Sequence, residues 1–407
     1  MMTSADRRPF AGIKVLDATR VLAGPYAAYQ LGLLGAEVLK IEKPGGGDSV
    51  RFRGTDAALA DAGLATYFLG QGANKRCIAL DLDQTAGRAV FLRLVAGADV
   101  LIENLRGGAL ARRGLGPEVL RAANARLIHC SITGYGAGGP RAADPAYDPV
   151  IQAASGLMSL TGTAQTGPLK TGAPVIDYAT GMAAAFAIAA ALHQRSAGGG
   201  GQSIDVSMHE VALGLMTNVV TETLTRTADA GAGGDDSVHG NPVMAVYPTL
   251  SGQLSVAALE EHQVIRLIEA LGEPRLLADP RFCDAAGRRA HREALRAAMS
   301  QRFAGRDAAQ WERLLNQVGV PAARVRTVPE ALAEEQTRSR GMLQRVDLRP
   351  GVARETGLLL APFRFAHDGP RIDSAPRPLG ADTDAVLRGL GYAEEDIAAM
   401  RATAAIG

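Results

Sequence analysis

The sequence lacks the features that mark several large classes of protein. Its three cysteines, Cys77, Cys130 and Cys283, stand far apart, which excludes a disulfide framework and suits a reducing cytoplasm. The seven histidines never pair at metal-ligand spacing, so we expect no metal site. The formal net charge of +1 gives no reason to expect nucleic acid or an anionic membrane as a partner.

Long hydrophobic runs are also scarce. The apolar stretches fall short of the roughly 20 residues that a membrane-spanning helix needs, and the N-terminal segment Met1–Arg8 has no apolar signal region. We therefore expect a cytoplasmic protein. The composition is that of an ordinary globular protein, 47% hydrophobic and 21% charged, and the length of 407 residues predicts two domains.

Strand and helix patterns alternate along the first half of the chain. Ile13–Asp17 and Glu37–Glu42 have the composition of strands, and between them Tyr26–Leu34 is typical of a helix bounded by Pro25 and Gly35. Further strand patterns follow at Asn74–Asp81, Asp99–Glu103, Ala125–Ser131 and Gln202–Ser207. This alternation predicts an α/β fold with a Rossmann-like doubly wound sheet, which binds ligands at the carboxyl ends of its strands.

A smaller second domain is indicated downstream. The Gly-rich segment Asp229–Asp236 predicts a linker, and the hairpin pattern of Met244–Ala258 begins a helix-rich α+β region. Strand patterns then return near Leu343 and Gly357. We therefore predict a large domain over residues 1–225, a small domain over 226–330, and a C-terminal part, 331–407, that returns to the large domain.

The stretch around Asp177 is the candidate site. Its carboxylate lies between the turn Thr171–Pro174 and a run of small apolar residues, Met182–Leu192, that predicts a buried helix. Asp177 is therefore at or just before a helix start, where backbone N–H groups lack partners. An aspartate there can be a helix N-cap or a nucleophile aimed into a cleft, and this stretch alone leaves both open.

Residues after the second predicted strand also have two interpretations. Glu42 resembles the acidic residue that holds a ribose in dinucleotide-binding folds, but the first turn, Arg20–Gly24, lacks the G-x-G-x-x-G fingerprint, which argues against a nicotinamide or flavin enzyme. Lys40, Lys43 and Arg51 flank a Gly-rich turn and are either solvated surface charges or phosphate contacts.

Taken together, many short segments resemble family III CoA-transferases, the group that contains formyl-CoA and carnitine CoA-transferases. The segments span nearly the whole chain and are Asp17–Pro25, Leu34–Asp48, Asn74–Arg76, Leu80–Asp81, Glu103–Asn104, Thr133–Gly136, Tyr147–Asp148, Gly156–Gly162, Gly172–Asp177, Asp279–Phe282 and Leu387–Tyr392. The resemblance implies an enzyme that moves CoA from an acyl-CoA to a small carboxylic acid, without a tightly bound cofactor. It also implies a homodimer of two interlinked, ring-like chains.

The resemblance further implies roles for individual residues. Asp177 matches the nucleophilic aspartate, which would form an aspartyl anhydride and then an aspartyl-CoA thioester; we expect the helix start to keep it ionised. The loop Leu22–Ala23, and Ala23 in particular, would donate a backbone N–H to the developing oxyanion, and Asp148 would border the reacting thioester. The expected CoA contacts are Arg20, Leu22, Ala23, Lys43, Leu80, Asn104, Leu105, Arg112 and Tyr147.

Three points stay open at this stage. Related proteins carry a polar residue at the position of Leu22, and the glycine segment that covers the site in formyl-CoA transferase is matched only loosely by Gly231–Gly234 or His239–Gly240. An α-methylacyl-CoA racemase of the same superfamily is an alternative, although it uses a histidine where this chain has Tyr147, and a tyrosine pKa of about 10 suits proton transfer poorly. A non-catalytic CoA-binding protein is the third possibility.

Overall fold

The computed structural model describes residues 6–163, 165–226, 242–348, 352 and 354–407. The predicted linker Asp229–Asp236 and both candidate covering segments, Gly231–Gly234 and His239–Gly240, lie outside the described residues. The chain forms two compact units. The first comprises Met1–Ser155, Gly172–Thr217 and Arg340–Gly407, and the second comprises Gly156–Thr171 and Asn218–Ser339. The second unit thus includes a short segment before Asp177 that the sequence prediction kept in the large domain.

The described regular elements alternate along the first unit and become mainly helical in the second. The strands are β1 (Lys14–Ala18), β2 (Glu37–Glu42), β3 (Lys75–Ala79), β4 (Val100–Glu103), β5 (Ile128–Thr133), β6 (Gly162–Thr163), β7 (Gly167–Pro168), β8 (Gln202–Ser207), β9 (Ala245–Pro248), β10 (Gln253–Val256), β11 (Ala322–Arg324), β12 (Leu343–Asp347) and β13 (Glu355–Leu359). The helices are α1 (Ala23–Leu33), α2 (Ala57–Asp61), α3 (Thr66–Gly72), α4 (Thr85–Ala96), α5 (Ala109–Arg112), α6 (Pro117–Ala123), α7 (Asp148–Ala154), α8 (Val175–Ser196), α9 (Met208–Leu215), α10 (Thr217–Arg226), α11 (Glu261–Ala270), α12 (Arg275–Ala278), α13 (Ala285–Ala290), α14 (Arg292–Phe303), α15 (Ala308–Gln317), α16 (Val328–Ala333), α17 (Glu335–Ser339), α18 (Thr383–Gly389) and α19 (Glu394–Ala402).

A six-stranded sheet in the order β3-β2-β1-β4-β5-β8 forms the centre of the first unit. All neighbouring strands are parallel, and Val15 of β1 pairs with Val38 on one side and Val100 on the other. The prediction of an α/β fold with a central parallel sheet is confirmed. The strand order reverses between β1 and β4, and a crevice opens at the carboxyl ends of parallel strands at such a point.

Helices cover both faces of this sheet. On one face, α1 and α8 bury a stripe of small residues, including Ala27 and Ala184, against the β-branched side chains of the sheet. On the other face, Phe91 of α4 and Leu387 of α18 enter a second core cluster with Leu101 of β4. The central strand β4 contains the continuous apolar run Val100–Ile102 because both of its faces are buried, whereas the edge strand β8 carries exposed polar residues.

The C-terminal segment covers the edge strand β3. The Cys77 N–H donates to Asp382 Oδ2 at 2.8 Å, and the Asp382 N–H donates to the Cys77 carbonyl at 2.9 Å. Asp81 continues the pairing by donating its N–H to the Ala405 carbonyl at 2.9 Å. These bonds satisfy backbone groups that an open sheet edge would leave unpaired.

Helix α8 is longer and less buried than the sequence predicts. By length and composition it could cross a membrane, a test that core helices of soluble proteins also pass, so the expectation that every apolar stretch is too short is wrong here. Ala184 and Ile188 are fully buried, whereas Phe186 on the opposite face is 77% exposed. The helix is therefore a core helix along one face only. The interlinked dimer stays a prediction.

The second unit is a smaller α+β assembly with its own core. Strands β9 and β10 form the predicted hairpin, and β11 completes an antiparallel sheet. Phe303 contacts the ring of Tyr247 from β9 in a tilted arrangement and the ring of Trp311 edge to face, and the Trp311 Nε1–H donates to the Phe303 carbonyl at 2.9 Å. Large aromatic side chains in contact supply much of the apolar area that a small core needs.

Candidate active site

A cavity of about 350 Å³ opens at the carboxyl edge of the central sheet, where the strand order reverses. The loops after β1, β4 and β5 form its walls together with the residue before α7 and the first turn of α8. The residues predicted from the sequence that line it are Arg20, Leu22, Ala23, Asn104, Leu105, Tyr147 and Asp177. The fold thus brings together residues that are far apart in the sequence. Arg20, after β1, and Asp177, in α8, are separated by 157 positions.

A second cavity, of about 110 Å³, shares Arg20 and Leu105 with the first. Lys43 and Leu80 line it as predicted. Arg112 lines neither cavity, and its Nη1 donates to the Gly107 carbonyl at 2.9 Å.

Its neighbour Arg113 lines the second cavity instead. The Arg113 Nε lies 2.7 Å from Asp83 Oδ1, and Lys43 Nζ lies 2.8 Å from Asp83 Oδ2, so one carboxylate holds two cations at the cavity wall. Sequence reasoning missed Arg113 because two adjacent arginines at the end of a four-residue helix point in different directions, and the sequence does not fix which one faces the sheet.

Asp177 lies in the first turn of α8, but it does not cap the helix. Helix α8 begins at Val175, and the side chain that accepts its free N–H groups is Asp148 from the start of α7. Asp148 Oδ2 accepts from the Ile176 N–H at 2.7 Å and from the Asp177 N–H at 3.2 Å. The N-cap interpretation of Asp177 is therefore wrong. Asp148 is only 4% exposed and does not line the cavity, and its Oδ2 is bonded to the backbone of α8.

The carboxyl group of Asp177 has a pKa close to neutral pH. Burial, followed by repulsion from the Asp148 carboxylate, raises its pKa from 3.8 to about 7. The expectation that the helix start keeps Asp177 ionised is wrong, because the N–H groups that would stabilise the charge are already bonded to Asp148. A carboxylic acid that lines a cavity and has a pKa near neutrality is typical of a functional site.

Gly181 lets α8 approach the start of α1. A Cβ atom at this position would lie 2.8 Å from the Ala23 carbonyl oxygen, which is closer than real Cβ atoms come, and 3.1 Å from the Tyr26 ring, which is a tight contact. Because Gly181 lies one turn after Asp177 on the same helix, the close contact places Asp177 beside the first residues of α1.

The start of α1 offers unused hydrogen-bond donors to this cavity. In the part of the chain that the structure describes, the N–H groups of Ala23 and Gly24 have no acceptor, and Pro25 has no N–H to offer. Ala23 lines the cavity with Asp177. The N-terminal end of a helix carries a partial positive charge, so a negative oxygen placed here is stabilised.

Lys40, Arg51 and Glu42, near β2, do not have the roles that the sequence suggested. Lys40 and Arg51 are each 1% exposed, so they are neither solvated surface charges nor phosphate ligands. Arg51 donates two hydrogen bonds to Glu42, at 2.8 and 2.5 Å, which leaves Glu42 unable to hold a ribose. Of the three cations, Lys43, with its side chain 61% exposed, lines the second cavity, and Glu42 lines it as well.

Comparison with known proteins identifies the family of this chain. The profile of CoA-transferase family III matches residues 10–383. A succinate–glutarate CoA-transferase from Agrobacterium fabrum is 34% identical over 93% of this chain and 97% of its own length, and an acetyl-CoA:oxalate CoA-transferase from Acetobacter aceti is 36% identical over 82% of this chain and 85% of its own. The crystal structure of a CAIB/BAIF family protein from Brucella suis superposes with a TM-score of 0.81 at 33% identity, over 94% of this chain and 99% of that one. The chain belongs to CoA-transferase family III and is an enzyme of the acyl-CoA:carboxylate CoA-transferase class.

Proposed function

We propose that this enzyme transfers CoA from an acyl-CoA thioester to a free carboxylic acid, with Asp177 carrying first the acyl group and then CoA. The observation that supports the proposal most is the position of Asp177: its carboxyl group lines a cavity beside the free N–H of Ala23. Acyl transfer requires a nucleophile and an oxyanion donor at the same place. In our proposal Asp177 of α8 and Ala23 of α1 have these two roles.

The reaction consists of substitutions at carbonyl carbon and needs no oxidant or metal to balance. An Asp177 oxygen attacks the thioester carbon, the C–S bond breaks, and CoA leaves as a thiolate. The thiolate attacks the Asp177 carbonyl carbon of the resulting anhydride, which releases the first acid and forms the aspartyl-CoA thioester. The acceptor carboxylate then attacks this thioester and expels CoA thiolate, and the thiolate attacks the acceptor acyl carbon of the new anhydride. Asp177 returns as a carboxylate, and the exchange is split into steps of similar energy.

Each step places negative charge on a former carbonyl oxygen. The Ala23 N–H, at the positive end of α1, is the donor that meets this oxygen in our proposal. Leu22 beside it is 5% exposed and supplies no side-chain donor, so the backbone provides the stabilisation.

The adjoining second cavity is suited to the nucleotide end of CoA. Lys43 and Arg113 present positive charge at its wall, and Leu80 presents an apolar surface. Because the two cavities share Arg20 and Leu105, an extended pantetheine chain can run from the phosphate groups to Asp177. Tyr147, which is 60% exposed, borders the reacting end.

A donor and acceptor screen tests the proposal. The enzyme is incubated with succinyl-CoA or acetyl-CoA and with glutarate, oxalate or malate, and mass spectrometry follows the new acyl-CoA. We expect transfer to at least one acid, loss of transfer in Asp177→Ala with CoA binding retained, and an aspartyl adduct that hydroxylamine cleaves. Exchange of the α-proton of a 2-methylacyl-CoA in deuterated water without an acceptor acid would instead favour the racemase. CoA binding without any adduct or transfer would favour a non-catalytic binding protein.

A further inference from the structure

The backbone between β1 and α1 is held by side chains at every polar group of three consecutive residues, Thr19 to Val21, which we call the 19–21 loop. The Thr19 N–H donates to Asp17 Oδ1 at 3.1 Å, and the Thr19 carbonyl accepts from Lys40 Nζ at 3.0 Å. Loops at a protein surface ordinarily leave such groups to water. Here they are bonded to residues from neighbouring strands.

The next two residues are held in the same way. Arg20 exchanges two hydrogen bonds of 2.7 Å with the Asn104 side-chain amide. The Val21 N–H donates to Asp48 Oδ2 at 3.0 Å, and the Val21 carbonyl accepts from Gln71 Nε2 at 2.6 Å. Five side chains from five separate places in the first unit therefore fix this loop.

The conformation that they fix is strained. Val21 has a φ of +69°, in the left-handed region that β-branched residues avoid. A valine keeps this conformation only when the surrounding structure imposes it. The backbone N–H groups of the next two residues, Leu22 and Ala23, have no acceptor among the described residues, and both residues line the cavity with Asp177. The direction of these N–H groups, including that of Ala23, therefore depends on the turn at Val21.

Most of the groups that impose the turn are buried. Lys40 and Asp48 are each 1% exposed and lie 3.6 Å apart, and the buried Lys75 adds a 2.8 Å ion pair to Asp17. A paired set of buried charges is a costly way to gain stability. Gln71 is 3% exposed and lines none of the cavities described above. Its bond to Val21 therefore acts on the loop alone.

We infer that Gln71 is a positioning residue of the transfer reaction, which holds Val21 in its left-handed turn and so aims the Ala23 N–H at the oxygen of the acyl group carried on Asp177. The inference rests on the proposed function and adds to it a residue that touches neither substrate nor Asp177. Its removal changes the alignment of a donor, and alignment matters chiefly in the transition state.

The test is Gln71→Met, which keeps the length and apolar stem of the side chain and removes the donor. Gln30→Met on α1 is the matched control, because Gln30 is also 3% exposed and its amide atoms have no described hydrogen-bond partner. We expect kcat of Gln71→Met to fall by about 10- to 100-fold while the dissociation constant of CoA changes by less than about 3-fold. Gln30→Met should keep its kcat within about 3-fold of the parent enzyme.

A second substitution separates positioning from a general loss of structure. Glycine adopts the left-handed region without strain. Val21→Gly in the Gln71→Met background should therefore recover part of kcat, because the loop no longer relieves backbone strain when it leaves the left-handed turn. Equal falls of kcat in both methionine variants, or an unchanged kcat in Gln71→Met, would overturn the inference while wild-type transfer stands. Absence of transfer in the wild-type enzyme would overturn the proposed function and the inference with it.

Discussion

Asp148 accepts the backbone N–H of Asp177 at 3.2 Å while its negative charge opposes ionisation of the Asp177 side chain. One carboxylate therefore fixes where the other stands and also makes it less acidic. The second oxygen of Asp148 accepts from Gln152 Nε2 at 2.5 Å, which holds Asp148 on α7. The arrangement gives a proposed nucleophile that is poised between its neutral and ionised forms near pH 7.

The first prediction concerns the pH dependence of acyl-enzyme formation. Only the ionised carboxylate attacks a thioester, so we expect kcat/KM for the acyl-CoA to rise as the pH passes through about 7. Asp148→Asn keeps an oxygen that can accept the N–H groups of Ile176 and Asp177 but removes the repelling charge. Its rising limb should move to lower pH. Stopped-flow measurement of CoA release over pH 5–9 checks this, and a limb that stays in place would mean that burial alone sets the pKa of Asp177.

The second prediction concerns stability. The pKa of Asp177 is raised in the folded protein from 3.8 to about 7, so the folded state binds the proton more tightly than the unfolded chain does, and stability is lost as the pH rises between these values. Asparagine does not ionise, so the Asp177→Asn variant avoids this loss of stability as the pH rises. Its free energy of unfolding should exceed that of the parent increasingly from pH 4 to pH 7, by at most about 4 kcal/mol, and remain higher above that.

Urea denaturation of the parent and Asp177→Asn at pH 4 and pH 8 measures this difference. Asp61→Asn is the control, since it makes the same change of side chain at an exposed residue at the end of α2. A stability difference for Asp177→Asn that is the same at both pH values would contradict the raised pKa.

The central sheet could be predicted from the sequence because short strand patterns alternate with helix patterns, and these local patterns match the elements that form. Glu37–Glu42 and Gln202–Ser207 are strands with the predicted bounds. The extent of burial was less accessible. Phe186 belongs to an apolar run that predicts a core helix, yet it faces outward, because the sequence does not say how many elements pack around a helix.

The candidate site divides in the same way. The resemblance led to Asp177, Ala23 and Tyr147, which line one cavity. The hydrogen bonds of Asp148 and Gln71 could not be predicted from local sequence. Asp148 bonds a residue 29 positions away in the chain, and Gln71 bonds one 50 positions away. A buried polar side chain has no local sequence signal that distinguishes it from an exposed one, and only the tertiary structure shows its partner.

The third prediction tests the contact between α1 and α8. A methyl group at Gly181 would lie 2.8 Å from the Ala23 carbonyl oxygen, so Gly181→Ala should push the helices apart and move Asp177 away from the Ala23 N–H. We expect a loss of about 1–3 kcal/mol in the free energy of unfolding and a fall in kcat of about 10-fold or more. Gly214→Ala on α9 is the control, because a Cβ atom there meets nothing within 4 Å; it should leave kcat unchanged and raise stability slightly. Wild-type kcat in Gly181→Ala would show that the spacing of the two helices does not matter for transfer.

The fourth prediction compares two adjacent arginines. The resemblance points to Arg112 as a CoA contact, whereas the structure places Arg113 at the cavity that also contains Lys43, with Asp83 holding both cations. We expect Arg113→Leu to raise KM for the acyl-CoA by about 10-fold, with a weaker dependence of KM on salt, because one charge that attracts phosphate is lost. Arg112→Leu should raise KM by less than about 3-fold, since that side chain lines neither cavity and bonds the Gly107 carbonyl. Steady-state kinetics at low and high ionic strength measure both effects. A larger rise of KM in Arg112→Leu than in Arg113→Leu would mean that bound CoA rotates the short helix α5 so that Arg112 replaces Arg113 at the cavity.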